Sequence, residues 1–211
     1  MLALNCGMYQ ADIGRLTLDE LDEDNSFVFW DREKEPQNPF KVKHDLWPET
    51  RKLVSRFSQA RKTRTRFDTE WRDGSLAKLD CSTLAFVDTN GNMLYRITES
   101  GRAYDKISKA MQRLNARLKN EGAATFKFNS LRKSTNQLLC EILESRTADD
   151  DAQGMVATSE ISNLFLAQKS NLLTRLYRTT GVKLYGRMNR QLQAVGTVLR
   201  DAGAFEPLSA W

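Results

Sequence analysis

Tyr104-Asp-Lys-Ile107-Ser-Lys-Ala-Met111-Gln-Arg-Leu114-Asn-Ala-Arg-Leu118 places apolar side chains three and four residues apart, turn after turn. That spacing lines one face of an α-helix and excludes a strand, in which apolar residues alternate. It is the clearest amphipathic pattern in the chain, and its stripe is expected to face the core. Toward the C-terminus, Leu131, Leu138, Leu139, Ile142 and Leu143 give a second helix, which the acidic stretch Asp149-Asp-Asp151 up to Gly154 is expected to break as a loop. Thr158 or Ser159 would cap the next helix, with Ile161, Leu164, Phe165 and Leu166 on its buried face. Two more follow, one around Leu172 to Tyr177 and one from Leu184 through Met188, Leu192, Val195 and Leu199 to Gly203.

Toward the N-terminus the pattern mixes. Leu84 to Val87 before Asn90-Gly91 reads as a short strand and turn. Pro48 suits a first helical turn, and Leu53, Val54, Phe57 and Ala60 supply that helix with an apolar face. Ser26 to Trp30 and Phe40-Lys-Val-Lys43 flank the proline-bearing Glu35-Pro-Gln-Asn-Pro39 and read as a hairpin. Asp12 to Leu21 suits short helical turns. The fold class expected is mainly α with a small antiparallel β-sheet (α+β), the sheet built from the hairpin near residues 26 to 46 and the strand near 84 to 87.

The chain has 211 residues, 40% of them hydrophobic, which is enough for one buried core and short for two. Lys and Arg total 32 against 27 acids, and the net charge of +5 favours an anionic partner. With three scattered cysteines (Cys6, Cys81 and Cys140) and one histidine, His44, neither a disulfide framework nor a metal site is expected, and no cofactor. No apolar run approaches the ~18 residues of a membrane helix, so no membrane partner is expected and a cytoplasmic location is. Met1-Leu-Ala-Leu-Asn5 is apolar and uncapped, as in a helix cut through its middle, and suggests a fragment.

Three segments carry a further pattern. The first is Leu4-Asn-Cys-Gly7-Met-Tyr9-Gln-Ala-Asp12-Ile-Gly-Arg-Leu16, the second Phe128-Asn129-Ser-Leu-Arg132-Lys133-Ser134, and the third Leu166-Ala-Gln168-Lys-Ser170 with Tyr177 nine residues after Gln168. In order and spacing they resemble the active-site boxes of the tyrosine recombinase or phage-integrase family. Leu-Asn-Cys-Gly and Leu46-Trp-Pro-Glu-Thr50 are similar to integrase-like proteins of the planctomycete type. The resemblance runs from residue 4 to about 178. It implies one catalytic-like domain over 1–211, truncated at its N-terminus, with the family's upstream DNA-binding domain absent.

The family breaks and rejoins DNA through a 3′-phosphotyrosyl bond. A tyrosine attacks, arginines hold the phosphate oxygens, and a hairpin lysine protonates the leaving 5′-oxygen. Carried over residue by residue, the resemblance makes Tyr177 the nucleophile, Arg132 an arginine of the site and Lys34 the lysine, with Asp12 as a supporting residue. Three positions depart from the pattern: Tyr9 replaces the first arginine, while Asn129 and Gln168 stand where the family has groups that carry a proton. DNA-phosphate contacts are expected from Arg61, Lys62, Arg64, Arg66 and Lys133. The partner implied is duplex DNA, with self-association of the chain on it.

Each assignment has a plainer counterpart. Arg132 could pair with Asp12 or Glu141, Tyr177 could be a core tyrosine with Tyr185 as its rival, Lys34 could be an ordinary hairpin charge, and the 61–66 cluster a solvated helix end. Arg15 could bend back to replace the missing arginine. His44 reads as a surface residue. The active recombinase domain therefore stands beside two alternatives, a relic that binds DNA without efficient cleavage and a helical interaction module with basic side chains scattered over all faces.

Overall fold

The computed structural model describes residues 1–21, 27–31, 41–59, 66–70, 76–80, 83–98, 100–147, 151–166 and 181–206. Helices dominate these segments: α1 (Leu2–Cys6), α2 (Gln10–Arg15), a 3-10 turn (Leu18–Glu20), α3 (Pro48–Gln59), α4 (Lys106–Asn120), α5 (Phe128–Thr147), α6 (Asp151–Phe165) and α7 (Gly181–Asp201). Three antiparallel ribbons join them: β1 (Phe27–Asp31) with β2 (Lys41–Asp45), β3 (Arg66–Glu70) with β4 (Leu76–Asp80), and β5 (Tyr95–Ile97) with β6 (Ala103–Asp105). The mainly helical α+β class is as expected, as are α3, α5, α7, the short turns before residue 21 and the first hairpin, in which Val28 faces His44 and Trp30 faces Val42.

Several expectations are corrected. The strands form three separate two-stranded ribbons, and residues 84 to 87 are no strand, contributing only the isolated bridges of Leu84 to Thr17 and Val87 to Met93. Helix α6 begins at Asp151, so the end of the acidic stretch is already helical, and Thr158 and Ser159 lie inside the helix instead of capping it. Acidic residues at a helix start are favoured by the positive end of its dipole. The expected helix around Leu172 to Tyr177 lies outside the described residues.

Helix α4 forms where its periodicity predicts, and Asp105 caps it by accepting a hydrogen bond from the Ser108 amide at 2.8 Å. Yet none of its residues is buried, and Leu114 is 41% exposed. The core lies elsewhere, among Leu2, Cys6, Met8, Trp47, Leu139, Leu143, Ile161, Leu164, Phe165, Met188, Leu192 and Val195. It is drawn from α1, the start of α3, α5, α6 and α7, with Val28 and Val42 of the first ribbon.

Two asparagines fasten that ribbon to the helices. Asn5 receives the Trp47 amide at 2.7 Å and donates to the Asp45 carbonyl at 3.1 Å, while Asn189 receives the Asp45 amide at 3.0 Å and donates to the Lys43 carbonyl at 3.2 Å. Buried backbone polar groups need partners, and here side-chain amides supply what a third strand would. The Trp47 indole N–H reaches the Leu192 carbonyl at 2.8 Å.

Candidate functional site

Gly7 ends α1 in the left-handed region, at φ 66°. A Cβ there would stand 2.6 Å from the Phe165 carbonyl oxygen, so glycine is needed both for the turn and for the close approach of α6. The reversal sends Met8 into the core and leaves Tyr9 at the head of α2. Asp12, buried in the first turn of α2, reaches back to accept the Tyr9 backbone N–H at 2.7 Å. The carboxylate thus fixes the position from which the Tyr9 ring projects, and it also favours the helix start.

Arg132 comes from the other half of the chain. It lies in the first turns of α5, only 2% exposed, with its guanidinium carbon 3.4 Å from the centroid of the Tyr9 ring. A guanidinium stacks well on an aromatic face, keeping its N–H groups in the plane for an oxygen acceptor. Glu141, one of the acids considered as its partner, is exposed and receives a hydrogen bond from Gln137 at 2.9 Å. The Arg15 guanidinium, at the end of α2, lies 5.8 Å from the centroid of the Tyr95 ring. Asn129 and Lys133 are exposed on the same end of α5.

The third segment is described as far as Leu166. Phe165, immediately before it, is fully buried against Gly7 and makes an edge contact with the His44 ring, with centroids 6.0 Å apart and planes at 79°. His44 is therefore no surface residue. Burial pushes its pKa down to about 3, so the imidazole is neutral throughout the physiological range. Its strand position predicted neither, since the wall that encloses it comes from α6.

Tyr177, Lys34 and Gln168 lie outside the described residues, as do Arg61, Lys62 and Arg64, and of Arg66 only the place at the start of β3 is described. Tyr185, the rival nucleophile, is half-buried against the core, and burial raises its phenol pKa, which makes it a poor source of phenolate. Among the described residues no group of His, Cys, Asp and Glu could hold a metal ion, and no helix is long and apolar enough to cross a membrane.

Asn5 and Asn189 fasten the first ribbon and His44 is buried against Phe165, parts that their sequence positions do not announce. The Asn5 signal lay in the same Leu-Asn-Cys-Gly phrase that suggested the first box. No family model matches the chain, and no curated protein or solved structure is significantly similar to it.

Proposed function

We propose that this chain is a DNA breaking and rejoining domain of the tyrosine recombinase type whose site has lost part of its catalytic set. The observation that carries the reading is the meeting of Tyr9, Asp12 and Arg132, three residues picked from two distant segments because their order resembled family boxes. Contact of Gly7 with Phe165 adds support, because it brings the first box against the residue that leads into the third.

In the proposed reaction the Tyr177 hydroxyl gives up its proton to solvent water as its oxygen attacks a DNA phosphorus, and the bond to the 5′-oxygen breaks, leaving a 3′-phosphotyrosyl ester. Lys34 gives a proton to that leaving oxygen, and Arg132 donates to a non-bridging oxygen as its charge grows. Tyr9 contributes no positive charge, and neither Asn129 nor Gln168 can shuttle a proton near neutral pH. Loss of one aimed donor costs ~3 kcal/mol, about a hundredfold in rate. The stack of Tyr9 on a guanidinium this deeply enclosed favours the impaired form of the reading, binding with slow cleavage or none.

The test is a nicked duplex that traps the covalent adduct. Slow accumulation of an adduct mapped to Tyr177, absent in Tyr177→Phe, is expected if residual activity persists. An adduct at Tyr185, or rapid cleavage by the unaltered chain, would overturn the assignment of the site.

A further inference from the structure

Helix α4 is charged as well as free of buried residues. Across Lys106–Asn120 it carries Lys106, Lys109, Arg113, Arg117 and Lys119 and no acid, in a chain whose totals of 32 basic and 27 acidic residues nearly balance. At 3.6 residues per turn, Lys106, Lys109, Arg113 and Arg117 fall in one sector less than ~90° wide, and Lys119 falls outside it, ~120° from its middle. Lys109, Arg113 and Arg117 are exposed.

The adjoining ribbon extends the sector. Tyr104 on β6 gathers three cationic groups around its ring: Arg96 at 5.3 Å, Lys109 at 5.5 Å and Lys106 at 5.7 Å from the centroid. The negative face of an aromatic ring offsets part of the repulsion among them. Lys106 is also paired with Asp88. Ordinary solvated helix faces mix both signs of charge, whereas a single-sign stripe creates a field that an extended polyanion satisfies. From Lys106 to Arg117 the stripe runs roughly 16 Å, long enough to follow several phosphates of one strand at about 3.4 Å of axis each.

We propose that this face of α4, with Arg96 and Tyr104 beside it, is a phosphate-contacting surface that lies along the backbone of duplex DNA. The inference rests on the DNA-binding reading above and adds a surface to it that none of the three sequence boxes contains. Its place suits that role: Gln10, next to Tyr9, donates to the Ser108 hydroxyl at 3.4 Å, so the start of α4 adjoins the helix that carries the candidate site.

The test compares the full chain with a Lys109→Gln/Arg113→Gln/Arg117→Gln variant and with Lys119→Gln, measuring anisotropy of a labelled duplex across a salt series. Each phosphate contact contributes about 0.9 to the slope of log K against log salt, so the triple variant should flatten the slope by ~2 to 3, and Lys119→Gln should leave it nearly unchanged. The conservative pair Arg113→Lys/Arg117→Lys should retain the slope, and circular dichroism should show helix content preserved in all of them. If the unaltered chain binds duplex with a steep slope and the triple variant keeps it, this surface is refuted while the DNA reading stands. If the unaltered chain does not bind duplex even at low salt, the DNA reading itself fails, and this one with it. Tighter binding to phosphatidylserine vesicles than to duplex, lost in the triple variant, would overturn the assignment in favour of a lipid surface.

Discussion

Replacing Tyr9 with arginine, the residue that the family resemblance expects there, should destabilise the free protein and make its stability depend on anions. The ring now covers a guanidinium that is 2% exposed, at 3.4 Å from the centroid. Losing a desolvated stack of this kind costs about 2 kcal/mol. A second guanidinium in its place would face the first at roughly 4 Å, where like charges repel by ~4 kcal/mol at an effective dielectric of 20. Asp12, whose carboxylate already accepts the residue 9 amide, would offset part of that repulsion. A net loss of roughly 2 to 5 kcal/mol is expected in urea denaturation without added anion, read from tryptophan fluorescence with the buried Trp47 as one reporter. Phosphate or a duplex should return much of it, because an anion between the two cations converts repulsion into a clamp. A Tyr9→Arg protein as stable as the parent, or equally unstable with and without anion, would refute this account of the site.

His44 should make the fold sensitive to acid. Its pKa is about 3 in the fold against an ordinary value near 6.5, so below ~6.5 the unfolded chain takes a proton that the folded chain refuses. Stability from this group is complete above that pH and is lost progressively down to about 3, by up to a few kcal/mol, and denaturation curves of His44→Phe should show a shallower decline over the same window. Asn189→Leu strips partners from the Asp45 amide and the Lys43 carbonyl together, and should cost ~2 to 4 kcal/mol in the same denaturation assay, more than removal of one exposed hydrogen bond would. Gly7→Ala meets both a positive φ and the Phe165 carbonyl, so a loss above ~2 kcal/mol is expected in thermal or urea melts, and a neutral result would contradict the close packing of α1 on α6.

The helices were readable because their signal is intrinsic. An apolar side chain every three or four residues marks α3, α4, α5 and α7 whatever surrounds them. The same signal says which side of a helix is apolar and nothing about what covers it, so the stripe of α4 points to a core position although the helix has no buried residue. Strands of three residues, as in β5 and β6, are too short to display alternation. The run of aspartates before Gly154 reads equally as a loop and as a favoured helix start, and only the structure decides. At the site, order and spacing brought Tyr9, Asp12 and Arg132 to attention, but the stack of one ring on one guanidinium depends on packing between distant helices. His44 escaped for the same reason, since the ring that encloses it belongs to Phe165.

The first hairpin is a local structure whose anchorage is remote. Its two strands pair across a short connection, whereas the amides that occupy the outer edge of β2 belong to Asn5 and Asn189, near opposite ends of the chain. During synthesis β1 and β2 can therefore pair long before α7 emerges, and through that interval the β2 edge has one of the three hydrogen bonds that the two asparagines give it. An edge in that state is a template for another strand, from this chain or from a neighbour. Completion of α7 does more than add a helix: it closes an edge on which a nascent copy could stick to its neighbours. A version shortened ahead of Asn189 loses the cover of this edge together with the core residues Leu192 and Val195, and light scattering should show it aggregating.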